Sequence, residues 1–235
     1  MTDSRIPPSL VDLISVRGVG CTGVTGMAIE VLKKLTDEPD RVTECVRFLR
    51  RELSGYASLW HLERALASGA PAATLEAFGD RLELDARTAI ETAHALLRDR
   101  EGGFVTAPSS SLTRRVLAEL GADTATGAGG SDSGVGTTGV GATGVGATGL
   151  CGADAVGPTE ILNIVSTREL AQRLPTVVVT TPDRLVPGVV FETLGSPLFE
   201  RIPLSMFEAV VVGGQVLTPA EAGARAAALA AAHPA

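Results

Sequence analysis

The chain has 235 residues, with 20 Lys and Arg against 27 Asp and Glu, for a net charge of −7 at pH 7. An acidic balance argues against a nucleic-acid surface, which needs clustered positive charge. Hydrophobic residues make up 45% and aromatics only 3%, enough for an aliphatic, alanine-rich core in one large domain or two small ones.

The cysteines Cys21, Cys45 and Cys151 form no CxxC pair, and His61, His94 and His233 are scattered. Neither a disulfide framework nor a metal site is expected, and no motif asks for a cofactor. The opening MTDSRIPPSL lacks a basic start before an apolar run, so no signal peptide is expected. No apolar stretch is long enough to span a bilayer. The expectation is a cytoplasmic chain with no membrane partner.

From Pro8 to about Arg100 the spacing of apolar residues is helical. Val11 to Val16 fits a short strand or a helix. Val24 to Leu35 reads as a helix, Pro39 starts another with Val42, Val46 and Leu49 on one face, and a third runs from Ser58 to Ala67. Arg47, Arg50 and Arg51 sit among Glu44 and Glu52 as a solvated helix face. Leu75 to Leu97 is a long amphipathic helix with a candidate break at Gly79. Phe104 to Thr106 reads as a strand, and the serines from Ser109 cap a following helix, their hydroxyls accepting from first-turn amides. Leu150 to Ala153, Thr176 to Thr181 and Ala209 to Val212 are strand candidates, alternating with helices near Glu169 to Arg173 and Ala220 to Ala231. That alternation implies a parallel sheet. The expected fold is therefore α/β: a helical N-terminal domain over residues 1–102, then a Rossmann-like parallel-sheet domain over 103–235. Residues 121–149 carry a glycine-rich pentapeptide repeat, expected to be a flexible loop, with a short edge strand as the lesser alternative.

The repeat matches GxGxxG but follows no strand, so it does not read as a dinucleotide site. Gly18-Val-Gly-Cys-Thr-Gly23 is better placed, after an apolar run and before a helix. Its amides can cradle a phosphate with Arg17 adding charge; close helix packing through small residues is the alternative. At Cys151-Gly-Ala-Asp154 a buried strand delivers a carboxylate to its C-terminal end, where open α/β sheets build ligand sites, and Leu162 to Thr167 reads as a polar turn opening a helix. The Asp154 carboxylate suits either acid–base work or capping of the next turn. No GxSxG elbow or Walker lysine occurs.

These pieces fall in an order that resembles one superfamily: methylthioribose-1-phosphate isomerase, ribose-1,5-bisphosphate isomerase, and the alpha, beta and delta subunits of eukaryotic translation initiation factor 2B. Val16-Arg17-Gly18 with Gly23 is similar to the isomerases' VRGAPAIG phosphate-contacting segment. Ser58-Leu-Trp-His-Leu62 lies where the family has proline-threonine-alanine-valine-asparagine-leucine, and Phe104 to Ser111, with Ser109 and Ser110, resembles its threonine-histidine strand and serine-rich helix start. Gly152-Ala-Asp154 matches the GAD motif, and Asn163 and Thr167 the NKIGT motif. Arg184-Leu-Val-Pro187 resembles a lysine-phenylalanine-x-proline piece, and Val216-Leu-Thr-Pro219 the terminal GVLxP segment. The resemblance implies a helical domain before a Rossmann-like one, in dimers or larger assemblies.

The departures bear on chemistry. The resemblance implies that a cysteine partners the GAD aspartate in moving protons between sugar carbons; here Pro108 stands at that position, and Ile164 replaces the NKIGT lysine. The family's arginine becomes Tyr56 or Gly55. Cys21 is the one thiol placed to substitute, with a small buried cysteine as the plain alternative. The leading expectation is a regulatory or non-catalytic homo-oligomer. It binds a phosphorylated sugar or nucleotide through Arg17, Gly18, Gly20, Gly23, Ser109, Ser110, Asn163 and Thr167, with Asp154 the catalytic group if activity survives. The alternatives are an aldose–ketose isomerase acting on a pentose 1-phosphate, and an oligomerisation scaffold using the long helix and Val210 to Val212.

Overall fold

The computed structural model describes residues 6–16, 19–107, 110–122, 138–140 and 146–232. Arg17, Gly18, Pro108, Ser109 and most of the glycine repeat lie outside the described residues.

The described elements of the N-terminal region are all helical: α1 (Pro8–Ile14), α2 (Cys21–Leu32), α3 (Pro39–Glu52), α4 (Ala57–Ser68) and α5 (Pro71–Leu97). Proline opens α1, α3 and α5, where its missing N–H costs nothing. The segment open to two readings, Val11 to Val16, falls largely in α1, and α5 runs through Gly79 without a break. Leu10, Ile29, Leu32, Val46, Leu49 and Leu62 form one closed aliphatic core, with Leu75 and Leu82 of α5.

The remaining elements are β1 (Phe104–Thr106), α6 (Ser111–Glu119), β2 (Thr138–Val140), β3 (Thr148–Cys151), β4 (Ala155–Val156), β5 (Glu160–Ile164), α7 (Thr167–Arg173), β6 (Thr176–Thr180), α8 (Gly188–Phe191), β7 (Phe199–Pro203), β8 (Ala209–Val212), β9 (Gln215–Leu217) and α9 (Pro219–Ala232). The main sheet has the order β2-β1-β3-β6-β8-β9; β1, β3, β6 and β8 run parallel, and antiparallel strands flank them at both edges. Side chains alternate at period two. Val177, Val179 and Val211 face α5 and α6, while Val178, Val210 and Val212 face α7 and α9. Both faces are therefore covered, as a parallel sheet requires.

Three expectations change. Within the repeat, Thr138–Val140 forms an edge strand paired antiparallel to β1. The segment read as a polar turn at Leu162 is instead strand β5, in a separate antiparallel sheet ordered β4-β5-β7; only at Thr167 does a helix begin. Finally, Val210 to Val212 are buried in the sheet interior, so this strand offers no surface for a second chain.

Candidate functional site

Strand β3 ends at Cys151, and the chain continues through Gly152 and Ala153 to Asp154 before β4 turns back. The sequence places Asp154 at a strand end; the structure sets it three residues past β3, with its amide donating to Leu162 O (2.9 Å) and its carbonyl accepting from Ala57 N (3.2 Å). That second bond ties the start of α4 to the sheet edge. Gly152 makes the local geometry possible, because a Cβ there would lie 2.7 Å from Ser110 Oγ. Ser110 caps α6 by accepting from Thr113 N at 3.3 Å, so α6 presents its N-terminus beside Asp154.

A pocket of about 150 Å³ opens here, between the helical N-terminal region and the carboxyl edge of the sheet. Its walls include Gly20, Cys21 and Thr22 at the start of α2, Ser110 and Ser111 of α6, and Asp154, Asn163 and Arg184. Of the residues the sequence singled out, Gly20, Ser110, Asp154 and Asn163 all line this pocket. Two predicted residues are not on the wall. Gly23 lies within α2, where a Cβ would meet Val19 Cγ1 at 2.5 Å, so its role is packing. Thr167 is buried behind Asn163; it accepts from Asn163 Nδ2 (2.9 Å) and donates to Ile164 O (2.8 Å), fixing the amide's orientation.

The residue that sequence reasoning underrated is Arg184, 2% exposed, in the turn Pro182–Arg184 after β6. Its Nη1 donates to Ser58 Oγ (3.0 Å) and to Cys21 Sγ, and its Nη2 to Thr22 Oγ1 (2.9 Å). Ser58 Oγ also shares a hydrogen bond with Thr25 Oγ1 at 2.7 Å. Nε lies 3.5 Å from the Asp183 carboxylate, whose two oxygens are buried without hydrogen bonds among the described residues. One residue on, Leu185 O bonds to His61 Nε2 at 2.7 Å. Burial alone would lower the Arg184 pKa, but Asp183, Cys21 and Asp154 overrule it and the group stays charged. Its only sequence signal was the family-like Arg184-Leu-Val-Pro187 piece.

Electrostatics separate the two candidate proton carriers. Burial pushes the Asp154 carboxyl up from 3.8 to about 6, with Arg184 pulling the other way. Burial also pushes the Cys21 thiol up to about 12, against the pull of Arg184 and with a further push from Asp154. Cys21 is therefore a neutral thiol. Among the described residues no group of three or more metal-ligating side chains occurs, and no helix is long and apolar enough to cross a membrane.

No family model matches the sequence, and no curated protein matches it either. Solved structures do match in shape. Translation initiation factor eIF-2B from Pyrococcus horikoshii OT3 superposes with a TM-score of 0.68 at 14% identity, over 93% of this chain and 98% of that one. The tetrameric eIF2B-beta2-delta2 complex from C. thermophilum gives 0.63 at 15% identity, with 92% of each chain covered. The fold is that of the eIF2B subunits. It extends to 5-methylthioribose 1-phosphate isomerase from Pyrococcus horikoshii OT3, with a TM-score of 0.54 at 10% identity over 94% of this chain and 87% of that one. In this eIF2B-like fold the pocket sits outside the carboxyl ends of β3 and β6, where parallel sheets leave a crevice.

Proposed function

We propose that this chain binds a phosphorylated sugar or nucleotide in the Asp154–Arg184 pocket and acts without isomerising it, as a regulatory, cytoplasmic homo-oligomer. In this reading residues 1–102 form the helical domain and 103–235 the sheet domain, and Arg17, Gly18 and Ser109, outside the described residues, count among the ligand contacts. The observation that carries it is Arg184: a guanidinium buried to 2% exposure whose side chain still lines a pocket. The N-termini of α2 and α6 supply amides and positive dipole ends to the same space. A volume of about 150 Å³ falls below the ~300–1,000 Å³ of drug-sized sites. That favours a sugar phosphate over a whole nucleotide.

Two features support the non-catalytic reading. A proton donor works best with a pKa near the working pH, and the Cys21 thiol, pushed up to about 12, is far from it. The Pro108 and Ile164 replacements remove the family-type thiol and lysine. The test is a thermal-shift series with ribose 1-phosphate, ribose 5-phosphate and AMP. A rise with a sugar phosphate is expected in the native chain and not in Arg184→Met; no shift with any of them overturns the reading.

One observation favours the isomerase alternative: Cys21 and Asp154 line the same pocket, so a thiol does stand near the carboxylate. Deuterium exchange at C2 of ribose 1-phosphate separates the two. Exchange that Asp154→Asn abolishes establishes isomerase chemistry.

A further inference from the structure

We propose that anion binding at this site is proton-linked: an incoming phosphate-type dianion and the Asp154 carboxylate compete for the same Arg184 guanidinium, so the anion enters together with a proton at Asp154. This rests on the anion-site reading above and adds its regulation.

The argument is one of donors. Arg184 has five N–H groups in a fixed fork. Both on Nη1 are committed, to Cys21 Sγ and Ser58 Oγ, one on Nη2 goes to Thr22, and Nε faces the Asp183 carboxylate. A single Nη2–H remains uncommitted among the described residues. Asp154 itself makes no side-chain hydrogen bond among them, and its carboxyl lies on the same pocket wall. One uncommitted donor thus belongs to a cation that shares its pocket with one resident carboxylate and would share it with any arriving anion.

Among the described lining residues no second cationic side chain joins Arg184. From α2 comes Cys21, a neutral thiol, while Cys151 of β3 is buried in the core off the pocket wall. β5 supplies Asn163, α6 supplies Ser110 and Ser111, and the turn before α4 supplies Tyr56. On β7 the Glu200 carboxylate is turned away to accept from Arg168 N (2.8 Å). Arg114 and Arg115 of α6 are exposed outside the pocket wall. The Asp183 charge is set against Nε, so it takes up part of what Arg184 can offer rather than adding to it. Like charges crowded in one enclosed space cannot all remain ionised. The carboxylate that opens into the pocket is the one that takes the proton.

The probe is sulfate, which keeps its two charges between about pH 5 and about pH 7.5, whereas a phosphate ester would titrate itself. Calorimetric titration of the full chain should show sulfate affinity falling roughly ten- to thirtyfold across that range, the loss expected when one proton must be bound with the anion. Asp154→Asn, a permanently neutral side chain of the same shape, should hold the low-pH affinity throughout. Should that variant fail to fold, native-chain titrations near pH 7 in buffers of different ionisation heat read the proton directly, and close to one per sulfate is expected. Native affinity that is flat with pH, Asp154→Asn affinity that falls as the native does, or zero proton uptake each overturns the linkage while leaving the anion site standing. Sulfate that binds neither protein at any pH overturns the anion-site reading and the linkage with it.

Discussion

Replacing Arg184 with Met keeps an unbranched side chain of similar reach and removes only the charge and its donors. The turn Pro182–Arg184 would stay packed, but Asp183, whose carboxylate oxygens already lack hydrogen bonds among the described residues, would lose the guanidinium 3.5 Å away. Removing one partner of a buried ion pair costs about 3–5 kcal/mol, chiefly because the other charge is left uncompensated. The remaining losses are smaller. Ser58 keeps its bond to Thr25, and Thr22 is partly exposed, so water replaces the guanidinium there. If the orphaned charge dominates, Arg184→Met combined with Asp183→Leu should recover most of the loss, leaving about 1 kcal/mol from the hydrogen bonds. Urea denaturation of the native chain, both single variants and the double variant reads this directly. A double variant as unstable as Arg184→Met, or a single variant that loses under about 1 kcal/mol, would show that Arg184 is not what neutralises Asp183.

Three further outcomes follow from the same geometry. The Asp154 carboxyl, pushed up from 3.8 to about 6, holds in the folded state a proton that the unfolded chain releases. Stability from this group is therefore present at acid pH and lost as pH rises through the window between those values. Asp154→Asn should thus raise the urea midpoint at pH 7.5, by about 2 kcal/mol of stability after allowing for the open pocket side, and bring little gain near pH 4; equal effects at both pH values would refute the assignment. Ser110→Ala removes the cap on α6 and should cost about 1 kcal/mol, and Gly152→Ala, which drives a methyl to 2.7 Å from Ser110 Oγ, should cost at least as much in thermal unfolding. His61→Ala leaves the buried Leu185 carbonyl without its 2.7 Å partner and should cost about 1–3 kcal/mol, with His61→Gln restoring part of it if the Nε2–H is what matters.

The elements that sequence revealed are those whose signal is local. The 3.6-residue spacing of Val42, Val46 and Leu49 marks α3, and the β-branched run Thr176 to Thr180 marks β6; both lie where expected. What sequence concealed depends on distant partners. β4 is only two residues long and β7 reads Phe-Glu-Arg-Ile-Pro, so neither shows a period that announces a strand, and their sheet exists through pairing with β5. Thr138–Val140 carries almost no side-chain pattern and is held by backbone pairing to β1. Gly20 and Ser110, which open helices, and Asp154, just past the end of β3, were singled out by local signals, whereas Asn163 was singled out by its motif and sits inside β5 rather than in a turn. Arg184 was not, since an arginine in a turn ordinarily reads as surface; its burial is decided by Ser58 and Cys21, 126 and 163 positions away.

The distribution of unfavourable terms argues against a shape with no ligand. A scaffold gains by making its interior edges as apolar as the Val178, Val210 and Ile202 cluster on one sheet face. Here the opposite has accumulated in a single place. Among the described residues both Asp183 carboxylate oxygens and Thr181 Oγ1 are buried without hydrogen-bond partners, and the Asp154 carboxyl is held in a site that disfavours its charge. All three follow the carboxyl ends of β3 or β6, and the cation that offsets two of them faces a pocket. Unsatisfied polar groups and a perturbed carboxyl gathered at one sheet edge, around a buried arginine, agree with the anion site proposed above.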